Sequence, residues 1–161
     1  MDNVQKMEEI FVSKIHLRVH GHSTEVDRKV TDSILKILPD NYTYKDLELL
    51  STTMTAGNGL KIYTKVLNEI ADIKPVLEFF KTNLSLKDKQ YLTKTFESRL
   101  ENNKKFYFRL DKQRLYLDEV KLKEGTNIVH VIISFGNLMF DQDLDESIIR
   151  EYLVELGILV E

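Results

Sequence analysis

The spacing of apolar residues switches between alternation and helical periodicity along the chain, and this restricts the fold more than any other sequence feature. Alternation over Phe11–Val19 predicts a first strand. Gly21 is expected to end this strand before His22. The predicted buried face comprises Phe11, Ser13, Ile15, Leu17 and Val19, and the opposite face comprises His16, Arg18 and His20.

A helix is predicted next, because apolar residues recur at helical spacing from Val26 to Leu38. Thr24 and Asp27 have the spacing of a capping box, with Asp in place of the usual Glu. Pro39 ends the helix, because the residue before a proline is pushed out of helical geometry.

Two strands, about residues 47–54 and 60–67, are predicted after this helix, and Asn58-Gly59 between them is a favoured hairpin turn. Two helices follow, one capped by Asp72 and the other by Ser85. Apolar residues at helical spacing give each of them a buried side.

After Asn103 the spacing returns to alternation. Lys104–Leu110 and Arg114–Asp118 are predicted to form a hairpin around residues 111–113, and Asn127–Phe135 a buried strand.

A last helix is expected to follow the acidic residues at 141–146 and to end at Gly157. This order of elements predicts an α+β fold with two layers, in which helices pack on one side of an antiparallel or mixed sheet. Because no linker or repeat interrupts the pattern, residues 1–161 are expected to form a single domain.

The predicted hairpin carries the residues that most favour a nucleic-acid contact. Phe106, Phe108 and Leu110 share one face, and Leu115 and Leu117 can join them in the core. Aromatic rings interleaved with cations suit RNA, because rings stack on unpaired bases and guanidinium groups meet phosphates. A solvated sheet face with ordinary Tyr–Arg pairs explains the same pattern. The candidate RNA contacts are Lys105, Tyr107, Arg109, Lys112, Arg114 and Tyr116, joined by Arg18 if the first strand lies nearby.

The net charge of −3 is unevenly distributed. Residues 85–125 hold 11 Lys or Arg against 7 Asp or Glu, whereas residues 126–161 hold 1 against 7. The middle segment would attract a phosphate backbone, and the acidic C-terminal segment would repel it.

Histidines raise the question of a metal site, because His16, His20 and His22 have even spacing and His130 could be a fourth ligand. Arg18 would place a cation among these ligands, which favours a polar row on the sheet. We therefore expect neither a metal nor another cofactor. Because no nucleophile motif occurs and the carboxylates form no local pair, no catalytic residue is assigned.

The location is expected to be cytoplasmic. Cysteine is absent, which excludes disulfides. No apolar run reaches the roughly 20 residues that cross a bilayer, and Met1–Glu9 lacks an apolar signal core.

Glu97–Glu101, running into Phe106–Gln113 (FYFRLDKQ), resembles an archaeal family of predicted exosome-associated RNA-binding proteins. Thr24-Glu25, Leu38-Pro39 and the apolar tail Ile158–Val160 agree with that family in order. The domain of that family is similar to the 5S-rRNA-binding ribosomal protein. The resemblance implies that fold, an archaeal origin, RNA binding and the company of RNA-processing proteins.

These observations support three hypotheses in order. The first is a non-catalytic RNA-binding or RNP-accessory domain. The second is a protein-interaction or homodimer module, because residues 85–125 and 126–161 have complementary charge and Ile158–Val160 has no obvious cover. The third is a hydrolase or nuclease that uses unpatterned carboxylates.

Overall fold

The computed structural model describes residues 10–22, 25–53, 59–137 and 145–161. The predicted cap at Thr24, the predicted turn at Asn58 and most of the acidic segment before the last helix lie outside these residues. Within the described ranges, no helix is long and apolar enough to cross a membrane.

The described strands and helices follow the predicted order, except that a helix replaces the second strand of the predicted hairpin and a short strand precedes the first. The strands are β1 (Ile10–His22), β2 (Glu48–Thr53), β3 (Gly59–Leu67), β4 (Leu100–Glu101), β5 (Lys105–Asp111) and β6 (Ile128–Asn137). The α-helices are α1 (Asp27–Leu35), α2 (Ile70–Asn83), α3 (Leu86–Lys94), α4 (Phe96–Arg99), α5 (Lys112–Tyr116) and α6 (Glu146–Glu155), and Tyr44–Asp46 forms a 3-10 turn.

The strands form one sheet in the order β2-β3-β1-β6-β5-β4. Every pairing among the described strands is antiparallel. The helices pack on one side of this sheet, which confirms the predicted α+β architecture. Of the two predicted sheet types, the antiparallel one is present.

The hydrophobic core lies between the helices and one face of the sheet. The Phe80 ring of α2 meets the Phe108 ring of β5 edge-on, with 5.1 Å between ring centroids. Burying each such side chain contributes about 1.5–3 kcal/mol. The fully buried strand residues include Ile15, Leu17, Val19, Phe106, Phe108, Leu110, Val131 and Ile133, and the helical ones include Ile34, Val76, Phe80, Leu92 and Leu153.

At its start, β1 departs from the predicted alternation. A β-bulge between Val12 and Lys14 shifts the register against β6, so Val12 is buried and Phe11 is 40% exposed. The prediction that Phe11 and Ser13 belong to the buried face is therefore wrong. The Phe11 ring lies over Gly136 of β6, where any Cβ would collide with it.

Gly21 does not break β1, which continues to His22, so that prediction is also wrong. Gly21 faces the helices, and a Cβ there would lie 3.2 Å from Cγ2 of Val30. This glycine therefore allows α1 to pack closely on the sheet.

Two helix starts differ from the prediction. Val26 is the N-cap of α1 and is 59% exposed, because it precedes the first turn and does not reach the core. Glu69, not Asp72, is the N-cap of α2. Ser85 caps α3 as predicted, and its hydroxyl accepts the Asp88 N–H at 3.1 Å.

The predicted hairpin over residues 104–118 is wrong in its second half, because a helix, α5, directly follows β5. The carboxylate of Asp111 accepts the Arg114 N–H at 3.1 Å and caps this helix. Asp is favoured both in turns and at N-caps, so the signal for a turn here begins a helix. Leu115 is buried as predicted, but Leu117 lies past the helix and is 64% exposed.

The C-terminal tail has cover, contrary to expectation. Gly157 ends α6 with a φ of 79°, a left-handed conformation that glycine adopts without strain. Ile158 and Leu159 are buried, and the Val160 N–H donates to Oγ1 of Thr93 at 3.0 Å. The tail is therefore part of the core.

Candidate nucleic-acid interface

The side of the sheet opposite the helices carries polar and aromatic side chains. The register places Arg18 of β1 beside His130 of β6, and His130 beside Arg109 of β5. One cation therefore stands on each side of a central imidazole. We call this surface the open face; its central residues are His16, Arg18, His20, Lys105, Tyr107, Arg109, His130 and Ile132.

The alternation of β5 places Lys105, Tyr107 and Arg109 on the open face, because the residues between them are buried. Arg18 lies on the same face, since β6 pairs with both β1 and β5. Four of the seven candidate RNA contacts are therefore brought together.

Tyr107 is held by two contacts. Its ring stacks on that of His130, with centroids 5.6 Å apart and planes 21° apart. Its hydroxyl donates to the carboxylate of Glu101, and this hydrogen bond raises the tyrosine pKa. One side of the ring is thus covered by an imidazole, in a fixed orientation.

Arg18 is a half-buried cation without a described carboxylate partner. Its Nη2 lies 3.4 Å from Nδ1 of His130, and its buried Nε has no hydrogen-bond partner among the described residues. Buried charges are normally paired, so this guanidinium is available for an anion.

The surroundings of Arg18 favour the neutral form of His16, His20 and His130. Burial, with the added repulsion of Arg18, lowers the pKa of His16 and His20. The same two causes lower the pKa of His130 to about 4. The positive charge of the open face at neutral pH therefore comes from its arginines and lysines.

Arg109 shares a carboxylate with Arg99. Nη1 of Arg109 lies 3.1 Å from Oε2 of Glu124, and Nη2 of Arg99 lies 2.6 Å from Oε1. Burial pushes the Glu124 pKa upward, but the hydrogen bonds and charges of the two arginines outweigh it and hold that pKa below its ordinary value. One carboxylate thus faces two cations, and a net positive charge remains.

A groove of about 390 Å³ opens at one end of the open face. Arg18 and Arg109 line it together with Leu60 of β3 and the loop 125–128 that leads into β6. We call it the Arg18 groove. A second groove, of about 600 Å³, shares Arg109 and His130 with it and extends past Tyr107 toward Arg99.

Lys112 is not on the open face, which corrects its assignment as an exposed RNA contact. It is 5% exposed, and its Nζ lies 2.8 Å from Oε2 of Glu25 and 2.9 Å from the carbonyl oxygen of His20. Because α5 replaces the predicted turn, this side chain points into the protein and joins α5 to β1.

Arg114 and Tyr116 are also separated from the open face, because α5 packs against α1 on the helical side. Arg114 pairs with Glu119 at 2.9 Å, and the ammonium of Lys29 lies 5.6 Å from the centroid of the Tyr116 ring. The predicted hairpin had placed both residues on a strand beside β5, on the same face as Tyr107 and Arg109.

Sequence reasoning missed two parts of this site. His130 was considered only as a metal ligand, although the alternation of Asn127–Phe135 puts it on the polar face. The pairing of Arg99 with Glu124 left no local signal, because 25 residues separate them. Among the described residues, no cluster of three or more His, Asp or Glu side chains could hold a metal ion.

Known proteins resemble this chain in sequence and in fold. A family model described as RNA binding matches residues 14–135. RNA-binding protein PAB1135 of Pyrococcus abyssi is 30% identical over 141 residues, which cover 86% of this chain and 92% of that protein. The uncharacterized protein MJ0213 of Methanocaldococcus jannaschii is 30% identical over 154 residues, covering 91% and 99%.

A solved structure shares the fold. The crystal structure of protein AF2318 of Archaeoglobus fulgidus, a DUF54 protein, superimposes with a TM-score of 0.72 at 20% identity and covers 91% of this chain and 99% of that one. The family model spans well over half of the chain, so this protein belongs to the RNA-binding family that the model describes.

Proposed function

We propose that this protein binds RNA through the open face, with Arg18 and Arg109 contacting phosphates and Tyr107 contacting bases. The observation that carries the proposal is the row Arg18–His130–Arg109 on a sheet face opposite the helices. The family description and the name of the Pyrococcus relative support RNA as the ligand class.

The role we propose is non-catalytic. Cations and a stacked ring are suited to holding a nucleic acid, and phosphate contacts fix its position. The resemblance of the FYFRLDKQ run supports an accessory role beside RNA-processing proteins, including the exosome. We propose a cytoplasmic location for this role. One domain comprising residues 1–161 would be sufficient for this role.

The alternative, a homodimer module, is less well supported. One of its two arguments was an uncovered apolar tail, but Ile158 and Leu159 are buried in the core. The complementary charge of residues 85–125 and 126–161 is the argument that remains.

The chain offers a matched pair of variants for the test. Arg109 and Arg114 each bind one Glu, at 3.1 and 2.9 Å, and their side chains are 44% and 49% exposed. Replacing either arginine with alanine removes one positive charge. The two residues lie on opposite sides of the molecule. Any general effect of net charge on RNA affinity is therefore the same in both.

The measurement is fluorescence anisotropy with a labelled single-stranded RNA over a series of salt concentrations. Arg109→Ala is expected to weaken binding about tenfold and to make the salt slope of log K shallower by about 0.7, the value of one phosphate contact on a single strand. Arg114→Ala is expected to leave both unchanged. Absence of RNA binding at low salt, or equal losses in the two variants, would overturn the proposal.

A further inference from the structure

We propose that the Arg18 groove receives one unpaired nucleotide, so that the RNA ligands of this protein are single strands or duplexes with an extrahelical nucleotide. This inference rests on the proposed function and adds to it the structural class of the RNA.

The size of the groove is the first observation that supports a single nucleotide as the ligand. Its volume of about 390 Å³ lies at the small end of the range of ligand pockets, which suits one nucleotide and is too small to enclose a double helix. A fully paired A-form duplex presents a wide, shallow minor groove and keeps its bases stacked inside. Only a nucleotide that has left the stack can enter.

The side chains that line the groove are the second observation, because they suit both a base and a phosphate. Leu60 and Ile128 provide apolar surface for a base, and Arg18 and Arg109 provide cations for its phosphate. His20 and His130 also line the groove. The lowered pKa of each ring favours its neutral form, so His20 offers one donor and one acceptor to the edge of a base. His130 offers its Nε2–H, because its Nδ1 accepts from Arg18.

The third observation is that the Arg18 guanidinium has no carboxylate partner among the described residues. Arg99, Arg109 and Arg114 each contact a carboxylate. Arg18 instead has Nη2 beside Nδ1 of His130 and its Nε buried without a described partner. A phosphate in the groove would give this cation the anion that the described residues do not supply.

Backbone hydrogen bonds fix the wall formed by the loop 125–128. The Lys112 N–H donates to the carbonyl oxygen of Asn127 at 3.1 Å, and the Lys123 N–H donates to that of Arg109 at 3.1 Å. The left-handed φ values of Gly125 (87°) and Asn127 (58°) shape the turn between these anchors. The groove is therefore formed before the ligand arrives, which reduces the entropic cost of binding.

The test compares RNAs that differ by at most one nucleotide in length: a single strand, a fully paired hairpin closed by a polyethylene glycol linker in place of a nucleotide loop, the same hairpin with one extrahelical nucleotide, and that hairpin with the extrahelical base removed. The single strand and the bulged hairpin are expected to bind at least about tenfold more tightly than the paired one, because contacts to one unstacked base are worth that much. Removing the extrahelical base is expected to abolish the advantage.

Two variants locate the effect. Arg18→Gln is expected to remove the preference for the bulged hairpin, whereas Arg114→Gln is expected to retain it. Leu60→Ala truncates the apolar wall without changing charge, so it is expected to reduce the preference and leave the salt slope unaltered. If Arg18→Gln fails to fold in a urea titration, Leu60→Ala decides alone.

A free nucleoside monophosphate distinguishes RNA from a small nucleotide as the ligand. It is expected to compete only weakly, since it lacks the phosphates that reach Lys105 and the second groove. Equal affinity for paired and bulged hairpins, or a monophosphate that binds as tightly as RNA, would overturn the inference. If the inference fails but Arg109→Ala still weakens the binding of both hairpins, the proposed RNA-binding function is retained. If no RNA binds, both the inference and the proposed function are wrong.

Discussion

Replacing Lys112 with methionine distinguishes a structural lysine from an RNA contact. The ammonium group is nearly buried and donates to both carboxylate oxygens of Glu25, at 2.8 and 3.0 Å, and to the carbonyl oxygen of His20 at 2.9 Å. Methionine has a similar shape and no charge. Lys112→Met therefore removes three hydrogen bonds and leaves little empty volume.

The loss of unfolding free energy depends on how well the Glu25 carboxylate is hydrated once Lys112 is gone. Removing one partner of a fully buried pair costs about 3–5 kcal/mol. The Glu25 side chain is 29% exposed and keeps part of its hydration, so about 2–3 kcal/mol is expected here. For a chain of this size, the melting temperature should fall by about 5–10 °C.

Urea unfolding followed by circular dichroism measures this change. Lys36→Met is the matched control, because Lys36 forms an exposed pair with Asp118 at 2.6 Å and its loss should cost less than about 1 kcal/mol. RNA affinity of folded Lys112→Met is expected to equal that of the wild type. A normal unfolding free energy together with weakened RNA binding would refute the assignment and restore Lys112 as a contact.

Three further outcomes are expected. The free energy of unfolding should fall by about 1–2 kcal/mol as the pH drops from 6.5 to 4. The pKa of His130 is about 4 in the folded state and about 6.5 in the unfolded state, so in this range the unfolded state binds the proton and is stabilised. His130→Gln should flatten that part of the pH profile of urea unfolding; an unchanged slope would contradict the shift. Glu124→Gln should tighten RNA binding in anisotropy titrations, because it releases Arg109 from its carboxylate; weaker binding would mean that Glu124 positions the arginine for the ligand. Ile158→Ala should cost about 2–5 kcal/mol in thermal unfolding and Leu117→Ala less than about 1, since one is buried and the other 64% exposed; the reverse order would contradict the tail packing.

The strand β5 was predictable because its alternation is a local property. Phe106 and Phe108 had to share a face, and the polar residues between them therefore had to share the other. Nothing beyond the side-chain period of a strand was needed. The same reasoning placed Arg18 on the open face.

The turn after β5 was not predictable from local sequence, because Asp111 suits a hairpin turn and a helix N-cap equally well. The choice depends on tertiary contacts. Leu115 is buried on α5, and the ammonium of Lys112 finds its partner Glu25 87 residues away in the chain. Such distant partners leave no periodic signal.

The bulge in β1 was missed for a related reason. A strand that keeps strict alternation would bury Phe11, and only the pairing with β6 shows that one residue is inserted near Lys14. The bulge turns the Phe11 ring to the end of the open face, where it lies over Gly136.

The most direct test of RNA binding by the open face is a map of amide chemical shifts, recorded on the labelled protein as a single-stranded RNA is added. We expect the shifts to concentrate at Arg18, Arg109 and His130 and in the loop 125–128, and to leave α1 and α5 unchanged. Shifts that cluster around Arg114 and Tyr116, with none on the open face, would contradict the account.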